Sequence, residues 1–162
     1  MTTKKYILTE ETKKVLGVTL RRIKALRDFG GINAGTLGGW IKREENLSHE
    51  GNAWVYGNAK VCGDAWVYGN AKVCGDAEVY GNAKVCGDAD YIVFKNWWSS
   101  GRYFTWTRSN NLWKVGCFHG TGEDLIKKAY ADSEKSGREY ERVVRYVESI
   151  LTGENNESKT KK

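Results

Sequence analysis

Residues 51–92 read GNAWVY GNAKVC GDAWVY GNAKVC GDAEVY GNAKVC GDADYI, which are seven consecutive units of six residues. The first six units have Ala at the third position and Val at the fifth, with a large or charged residue between them. This alternation is typical of a short strand with one face turned inward. Gly followed by Asn or Asp opens each unit, and these residues tolerate the positive φ of a tight corner. The fixed period therefore predicts a stack of brief strands joined by corners.

The repeat resembles the hexapeptide repeat of left-handed parallel β-helices. The resemblance implies that three hexads make one triangular coil of about eighteen residues, with a thin aliphatic interior that has no room for a ligand. The stretch before the repeats, residues 34–50, is expected to form an irregular first coil. The valine stacks that this period predicts are Val55 on Val73, Val61 on Val79, and Val67 on Val85.

The outward positions of the repeats form columns at the same period. Lys60 is expected to lie over Glu78 as an opposite-charge pair, and two outward tryptophans to lie over lysines. These columns either hold the register of the coils or form a contact with another subunit. The resemblance implies a homotrimer about an axis parallel to the coil. The predicted oligomer-interface residues are Trp54, Tyr56, Trp66 and Tyr68.

The segments that flank the repeats predict caps for the coil. Residues 5–26 have the alternation of a β-hairpin with its turn near Gly17, which would cover an exposed strand edge. Beyond Asp90 the stretches RYFTWTR (102–108) and LWKVGCF (112–118) alternate around a turn. Capping-box patterns that begin at Thr121 and Ser136 then predict two helices.

The sequence thus predicts a mainly β fold, in which a short left-handed parallel β-helix carries an N-terminal β-hairpin and a small C-terminal α+β cap. The predicted segments are residues 1–33 for the hairpin cap, 34–92 for the β-helix, 93–152 for the α+β cap with its meander and two helices, and 153–162 for a polar, disordered tail.

Three motifs that are spread over most of the chain indicate the kind of organism that encodes the protein. They read RRIKALRDFGGINAGTLGGW (21–40), LSHEGNAWVYGNAKV (47–61) and DYIVFKNWWSSGRYFT (90–105). In this order they resemble a type of small protein found in bacteriophages and prophages. The resemblance implies a phage or prophage source and assigns no particular activity.

The charge of the chain is uneven. The formal net charge is +6. Residues 1–28 carry eight basic and three acidic side chains, and residues 91–118 carry four basic and none that is acidic. Basic, aromatic flanks around a near-neutral spine indicate an anionic partner, and ordinary solubility charge is the alternative. Double-stranded nucleic acid is an unlikely partner on sequence grounds, because no helix-turn-helix or other DNA-reading motif is visible.

Other sequence features indicate the compartment. No apolar run is long enough to span a bilayer, and the first residues lack the apolar core of a secretory signal. Four cysteines have no metal-type spacing, and three of them recur every twelve residues, on different faces of the expected coil. Free thiols without a signal predict the cytoplasm of the host cell, with no membrane partner.

The number and position of the histidines bear on whether the sequence predicts an enzyme. Many left-handed β-helix proteins are acyltransferases, and the resemblance implies that such an enzyme needs a His as general base. The only histidines are His49 and His119. The chain lacks the long loop excursion and the extra coils of those enzymes, so no enzymatic activity and no cofactor are predicted. Carbonic anhydrases of the same coil need three histidine ligands, so no metal site is predicted either.

The segment KNWWSSGRYFTWTRSNNLWK (95–114) is the richest candidate for binding. Aromatic rings with interleaved guanidinium groups can stack on bases and hold phosphates. The alternative is that these aromatic side chains fill the core of the cap. The predicted ligand-binding residues are Trp97, Trp98, Ser99, Ser100, Arg102, Tyr103, Trp106 and Arg108.

These observations predict a non-catalytic, phage-encoded binding protein. It would act as an anti-defence factor that binds a host defence protein, or sequesters a small anionic nucleotide, at the aromatic-basic segment of an oligomer. One alternative is a hexapeptide-repeat acyltransferase that depends on His49 or His119. The other is a structural or assembly protein of the virion.

Overall fold

The computed structural model of the chain describes residues 3–160, with the side chains of residues 3–153. Over this part the fold is mainly β, with several small sheets and two helices. The chain divides into two compact units, of which the first ends at His119 and the second begins at Gly120. The predicted boundaries after residues 33 and 92 therefore fall inside the first unit.

The repeats form two-residue strands that pair in parallel, one coil apart. These strands are β4 (Trp54–Val55) with β7 (Lys72–Val73), β5 (Lys60–Val61) with β8 (Glu78–Val79), and β6 (Trp66–Val67) with β9 (Lys84–Val85). Each pair joins residues eighteen positions apart and lies in a different sheet. The predicted period and the predicted valine stacks are confirmed.

The interior of the repeats is dry and aliphatic. The alanines and valines of the repeats from Ala53 to Val85 are at most 1% exposed. Full burial of each valine side chain contributes about 1.5–3 kcal/mol. Outside this column, the predicted pair of Lys60 and Glu78 is present, with 3.9 Å between its charged atoms.

The N-terminal hairpin is joined to one wall of the coil. β1 (Tyr6–Val15) and β2 (Val18–Ala25) pair antiparallel. β3 (Leu37–Ile41) then pairs antiparallel with β2 and parallel with β5, so the sheet runs in the order β1-β2-β3-β5-β8. The hairpin thus extends a wall of the coil through β3, which covers one edge of β5.

The sequence pattern predicts that Trp54 is exposed on an outer wall, but the N-terminal segment covers it. It is fully buried. Its ring packs edge-to-face on Phe29, 5.3 Å away, and on Tyr6, 6.3 Å away. The N-terminal segment covers this wall of the coil, so Trp54 presents no surface to another subunit.

A second sheet closes the last coil. Its strands are β10 (Tyr91–Lys95), β11 (Tyr103–Thr107), β12 (Leu112–Val115) and β13 (Phe118–Gly120), in chain order. The hydroxyl of Thr105 accepts the backbone N–H of Glu78 at 2.9 Å, and that of Ser109 accepts the N–H of Lys84 at 2.7 Å. These side chains satisfy backbone groups that the final coil leaves open.

The second unit is a pair of helices, α1 (Gly122–Asp132) and α2 (Glu134–Thr160). Thr121 caps α1 as predicted, because its hydroxyl accepts the N–H of Asp124. α2 begins at Glu134, before the predicted cap at Ser136. The residue that caps this helix is Ser133, whose hydroxyl accepts the backbone N–H of Ser136. The segment predicted as a disordered tail is helical as far as Thr160, and residues 161–162 lie outside the described residues.

Two corner glycines give a matched test of how closely the coils stack. A Cβ added to Gly51 would lie 2.6 Å from the carbonyl oxygen of Gly69, whereas one added to Gly57 meets nothing within 4 Å, and both residues have positive φ. We expect Gly57→Ala to lower the free energy of unfolding by about 1 kcal/mol through backbone strain. Gly51→Ala should cost about 1–3 kcal/mol more, because a backbone oxygen must move. Urea unfolding measures both, and equal losses would contradict the stacking.

Candidate functional site

Three adjoining cavities meet at Ser48, between β3 and β4. Their volumes are about 280, 320 and 360 Å³. Ser48 lines all three, while His49, Glu50 and Trp66 each line two. These volumes lie at the lower end of the range for small-molecule sites, and all three cavities are open to solvent. The region around Ser48 is therefore the candidate binding site in the first unit.

His49 is held by a hydrogen bond at one ring nitrogen and by stacking of its ring. The backbone N–H of Lys5 donates to Nδ1 at 3.1 Å, so the proton of the neutral ring resides on Nε2. Nε2 is buried and lies 3.7 Å from a carboxylate oxygen of Glu44, which is within ion-pair range and beyond a hydrogen bond. The ring also stacks on Tyr6, with centroids 4.2 Å apart. His49 has no free lone pair with which to accept a proton.

The protonation of His49 is set mainly by burial. Burial lowers the pKa of the imidazole, and this outweighs the nearby Glu44 carboxylate, which acts in the opposite direction. Lys4 and Lys5 lower the pKa further. Neutral His49 is therefore the form that fits this place in the fold.

Lys5 is a buried cation that the sequence pattern did not single out. It is fully buried, and its Nζ donates to the carbonyl oxygen of Ala53 at 2.6 Å. The ammonium also lies 4.8 Å from the ring centroid of Phe29. Burial and the neighbouring Arg27 lower the pKa of Lys5 to about 8. This side chain anchors the start of the hairpin to the first repeat and is enclosed away from any ligand.

His119 has a different environment. It lies in β13 and is exposed, and its ring rests against the corner at Gly81. A Cβ added to Gly81 would lie 2.5 Å from Cε1 of the imidazole, so glycine leaves the space that the ring occupies. Partial burial, and then the charge of Lys114, lower its pKa. Within the described residues neither ring nitrogen has a hydrogen-bond partner, so a neutral ring retains a usable lone pair.

The predicted aromatic-basic segment divides into an outer loop and a core. Trp97 is 69% exposed and packs edge-to-face on Trp98 at 6.0 Å. Trp106 is only 2% exposed, and its indole N–H donates to Asn111 at 2.8 Å, so it cannot stack on a ligand as predicted. Large side chains of β11 and β12 fill the core of this sheet, which is the alternative that the sequence left open.

The other predicted binding residues lie in or beside the outer loop. The Ser99 hydroxyl bonds Asn96, the Ser100 hydroxyl accepts the Arg102 N–H, and the Arg102 guanidinium rests against Gly116. Two further residues complete the set: Tyr103, which is exposed, and Arg108, whose backbone N–H donates to Asp90. A ligand role for this loop stays a prediction.

Trp66 is the exposed tryptophan of the repeats. It is 40% exposed, and its ring stacks on Tyr68 with centroids 3.9 Å apart. Tyr56 is half-buried against the core. The homotrimer and the interface at these three side chains stay predictions.

Two further properties of residues 3–160 bear on function. No group of three or more His, Cys, Asp or Glu side chains there could hold a metal ion. Neither helix in the same part of the chain is long and apolar enough to cross a membrane.

Comparison with known proteins gives one relevant similarity. No family model matches the chain. The chain is 48% identical over 63 residues to an Escherichia coli (strain K12) protein named "Uncharacterized acetyltransferase YdcK". The match covers 33% of this chain and 19% of that protein, so the chain spans about a fifth of the relative's length.

This similarity overturns the prediction that the protein is not an enzyme, because the matched relative bears the name of an acetyltransferase. It favours the acyltransferase alternative over the binding protein. The phage origin, the nucleotide ligand, the host defence partner and the virion role receive no support from it and stay predictions.

The lowered pKa of His49 predicts how stability depends on pH. The unfolded imidazole titrates near its ordinary value of 6.5 and the folded one below it, so the unfolded state binds more protons as the pH falls. The free energy of unfolding should therefore decrease as the pH is lowered from about 7 to about 5. His49→Gln should make this fall shallower, while His119 retains its own share of it. Urea unfolding across this range measures the slopes, and a His49→Gln slope as steep as that of the wild type would contradict the assignment.

Proposed function

We propose that the protein is a hexapeptide-repeat acyltransferase, built on a left-handed parallel β-helix, that transfers an acyl group from a thioester donor such as acetyl-CoA. The observation that carries the proposal is the 48% identity over 63 residues to a protein named as an acetyltransferase. The eighteen-residue parallel stacking of the repeats supports the same class of fold. The free thiols of all four cysteines support a reducing compartment such as the cytoplasm.

His119 is the proposed general base. Its exposed, unpaired imidazole takes a proton from the acceptor's amine or hydroxyl as that group attacks the thioester carbonyl. The C–S bond then breaks, and the thiolate of the donor leaves with the proton from the imidazolium. The nearby Lys114 cation helps keep the resting ring neutral, which is the form that can accept a proton.

The other histidine suits a positioning role. The Lys5 N–H occupies Nδ1, and the proton on Nε2 faces Glu44. A ring in this state can accept a proton only after the hairpin contact opens. His49 therefore serves as the matched control for His119.

Turnover of acetyl-CoA tests the proposal. We expect His119→Ala to lower the rate by about 10²–10⁴-fold, the usual contribution of a general base, and His49→Gln to lower it far less, because the His49 ring has no lone pair free to accept a proton. Released CoA should be quantified by chromatography, because thiol reagents would also react with the exposed Cys74, Cys86 and Cys117. The acceptors should span amines and alcohols. A wild-type protein that releases no CoA with any of them would contradict the function, and full activity in His119→Ala would contradict the role of the base.

A further inference from the structure

The five-stranded sheet of the first unit has an open edge at its hairpin end. At the other end of the sheet, the hydroxyl of Thr105 accepts the backbone N–H of Glu78 in β8. The hairpin end is formed by β1, which is ten residues long and, in the described part of the chain, pairs only with β2. A strand edge of this length is a template on which another chain can form a strand.

The hairpin loop determines which backbone groups of β1 face outward. Val15 and Val18 lie opposite each other across a two-residue loop in which both residues have positive φ. In a loop of this type the flanking pair exchanges its backbone hydrogen bonds, and bonded pairs then alternate with unbonded ones. The N–H and C=O groups of Thr12 and Lys14 therefore face away from β2. We call this outward side of the strand the β1 edge.

The charges along the β1 edge are arranged symmetrically, with opposite signs, about one residue. The segment reads Glu10-Glu11-Thr12-Lys13-Lys14. A second copy can lie antiparallel to it with Thr12 opposite Thr12. Glu10 then lies opposite Lys14. Glu11 lies opposite Lys13 in the same way, and each pair occurs twice.

Neighbouring registers of the same pairing are unfavourable. Because the outward backbone groups alternate, the strand can shift only so that Glu11 lies opposite Glu11 or Lys13 opposite Lys13. Opposite charges across an antiparallel pair stabilise it, and like charges destabilise it. The order of charges therefore selects the register that is centred on Thr12.

The other charges of the hairpin leave this register favoured. Glu11 has an ion pair of 3.4 Å with Arg22 that is open to solvent. Lys13 lies over an indole ring of β3, 5.1 Å from its centroid. Arg21, Arg22 and Lys24 belong to β2, which is one strand further from the second copy, at about 10 Å. At physiological ionic strength charges at this distance are largely screened, so the facing pairs along β1 decide the register.

A bulge in β1 lies beside the centre of the register. Pairing with β2 shifts between Leu8 and Thr12. The hydroxyl of Thr9 donates to the carbonyl oxygen of Arg22 at 2.8 Å and accepts the N–H of Glu11 at 3.3 Å, so one side chain holds the bulge within the hairpin. From Thr12 toward the loop the pairing is regular, so the residue at the centre of the register has ordinary strand geometry.

The tip of the hairpin gives a second, independent observation. Leu16 is 61% exposed and has a φ of 50°, a backbone conformation that is strained for a bulky side chain. Loops of this type normally have Asn, Asp or Gly at this position. In the register centred on Thr12, Leu16 lies toward Leu8 of the second copy, two positions beyond the pair of Lys14 with Glu10. An apolar side chain that is exposed and strained in one copy therefore gains a contact in two.

We propose that the β1 edge binds a second copy of this chain, antiparallel and centred on Thr12, so that two five-stranded sheets join into one sheet of ten strands. The interface is isologous, because both copies contribute the same residues. The edge is short, so the dimer is a weak one that dissociates on dilution. It lies on the hairpin and not on the walls of the coil, and it does not depend on the proposed function.

Paired charge reversals test the register. Glu10→Lys with Glu11→Lys makes the segment wholly basic, and Lys13→Glu with Lys14→Glu makes it wholly acidic. Each double variant should associate with itself at least about tenfold more weakly than the wild type. A mixture of the two should restore dimers, because every lysine then faces a glutamate, and the chain with all four reversals should dimerise like the wild type. Sedimentation velocity at physiological ionic strength measures each case, with a reducing agent that keeps the exposed cysteines from cross-linking.

Leu16→Asn separates the contact from the fold. Asparagine suits this loop position better than leucine, so the free energy of unfolding of the dilute monomer should rise. The dimer should weaken about threefold or more, because the leucine contact is lost. A purely structural role for Leu16 would move stability and association in the same direction, and that result would count against the contact.

Amide hydrogen exchange locates the interface. Raising the protein concentration should slow exchange at Thr12 and Lys14 and leave Lys13 and Val15 unchanged, because the N–H groups of the last two are already bonded within the hairpin. A wild-type chain that stays monomeric up to millimolar concentration, or a mixture of the two double variants that forms no dimers, would overturn the proposal. Association that both double variants retain would also overturn it, in favour of a contact through a wall of the coil.

Discussion

The narrow interior of the stacked repeats is the constraint on which the rest of the first unit depends. Each coil contributes an alanine and a valine to every wall, and from Ala53 to Val85 these residues are at most 1% exposed. Protein interiors are close-packed, so a centre filled by these side chains has no space for a ligand or for a polar catalytic group. Any chemistry must therefore take place on the outer walls, at the corners, or where other segments meet the coil.

The open ends of such a stack account for many of its buried polar side chains. Parallel coils leave backbone N–H and C=O groups unpaired at the first and last turns, and these need partners. Asn46 is fully buried, and its amide donates to the carbonyl oxygen of Ala65 at 2.8 Å and accepts the N–H of Arg43 at 3.0 Å. Lys5 has the same role near the start of the repeats, and Thr105 has it at the far end. The caps thus satisfy hydrogen bonds as well as bury apolar surface.

Structural features that depend on the six-residue period could be predicted from the sequence. Features that depend on contacts between residues far apart in the chain could not. The resemblance to the hexapeptide repeat implies a coil of three hexads, and with that period the Ala and Val positions predict the parallel register that the structure has. Trp54 and Trp66 occupy the same position of nearly identical hexads, yet one is fully buried and the other is 40% exposed. The difference comes from Phe29 and Tyr6, which reach Trp54 from outside the repeats. No pattern within a hexad encodes that contact.

The two histidines show the same limit at the candidate site. In the sequence His49 precedes a glutamate and His119 precedes a glycine, and residue type alone offers no way to choose between them. The fold distinguishes them. The hairpin places the Lys5 N–H within hydrogen-bond distance of Nδ1 of His49. β13 places the His119 ring against Gly81, which has no Cβ. Gly81 therefore has two roles, since it turns the backbone at positive φ and leaves space for an imidazole against the coil. A segment outside the repeats can therefore place an imidazole at a corner of a short coil, and no loop has to be inserted into the walls of the coil.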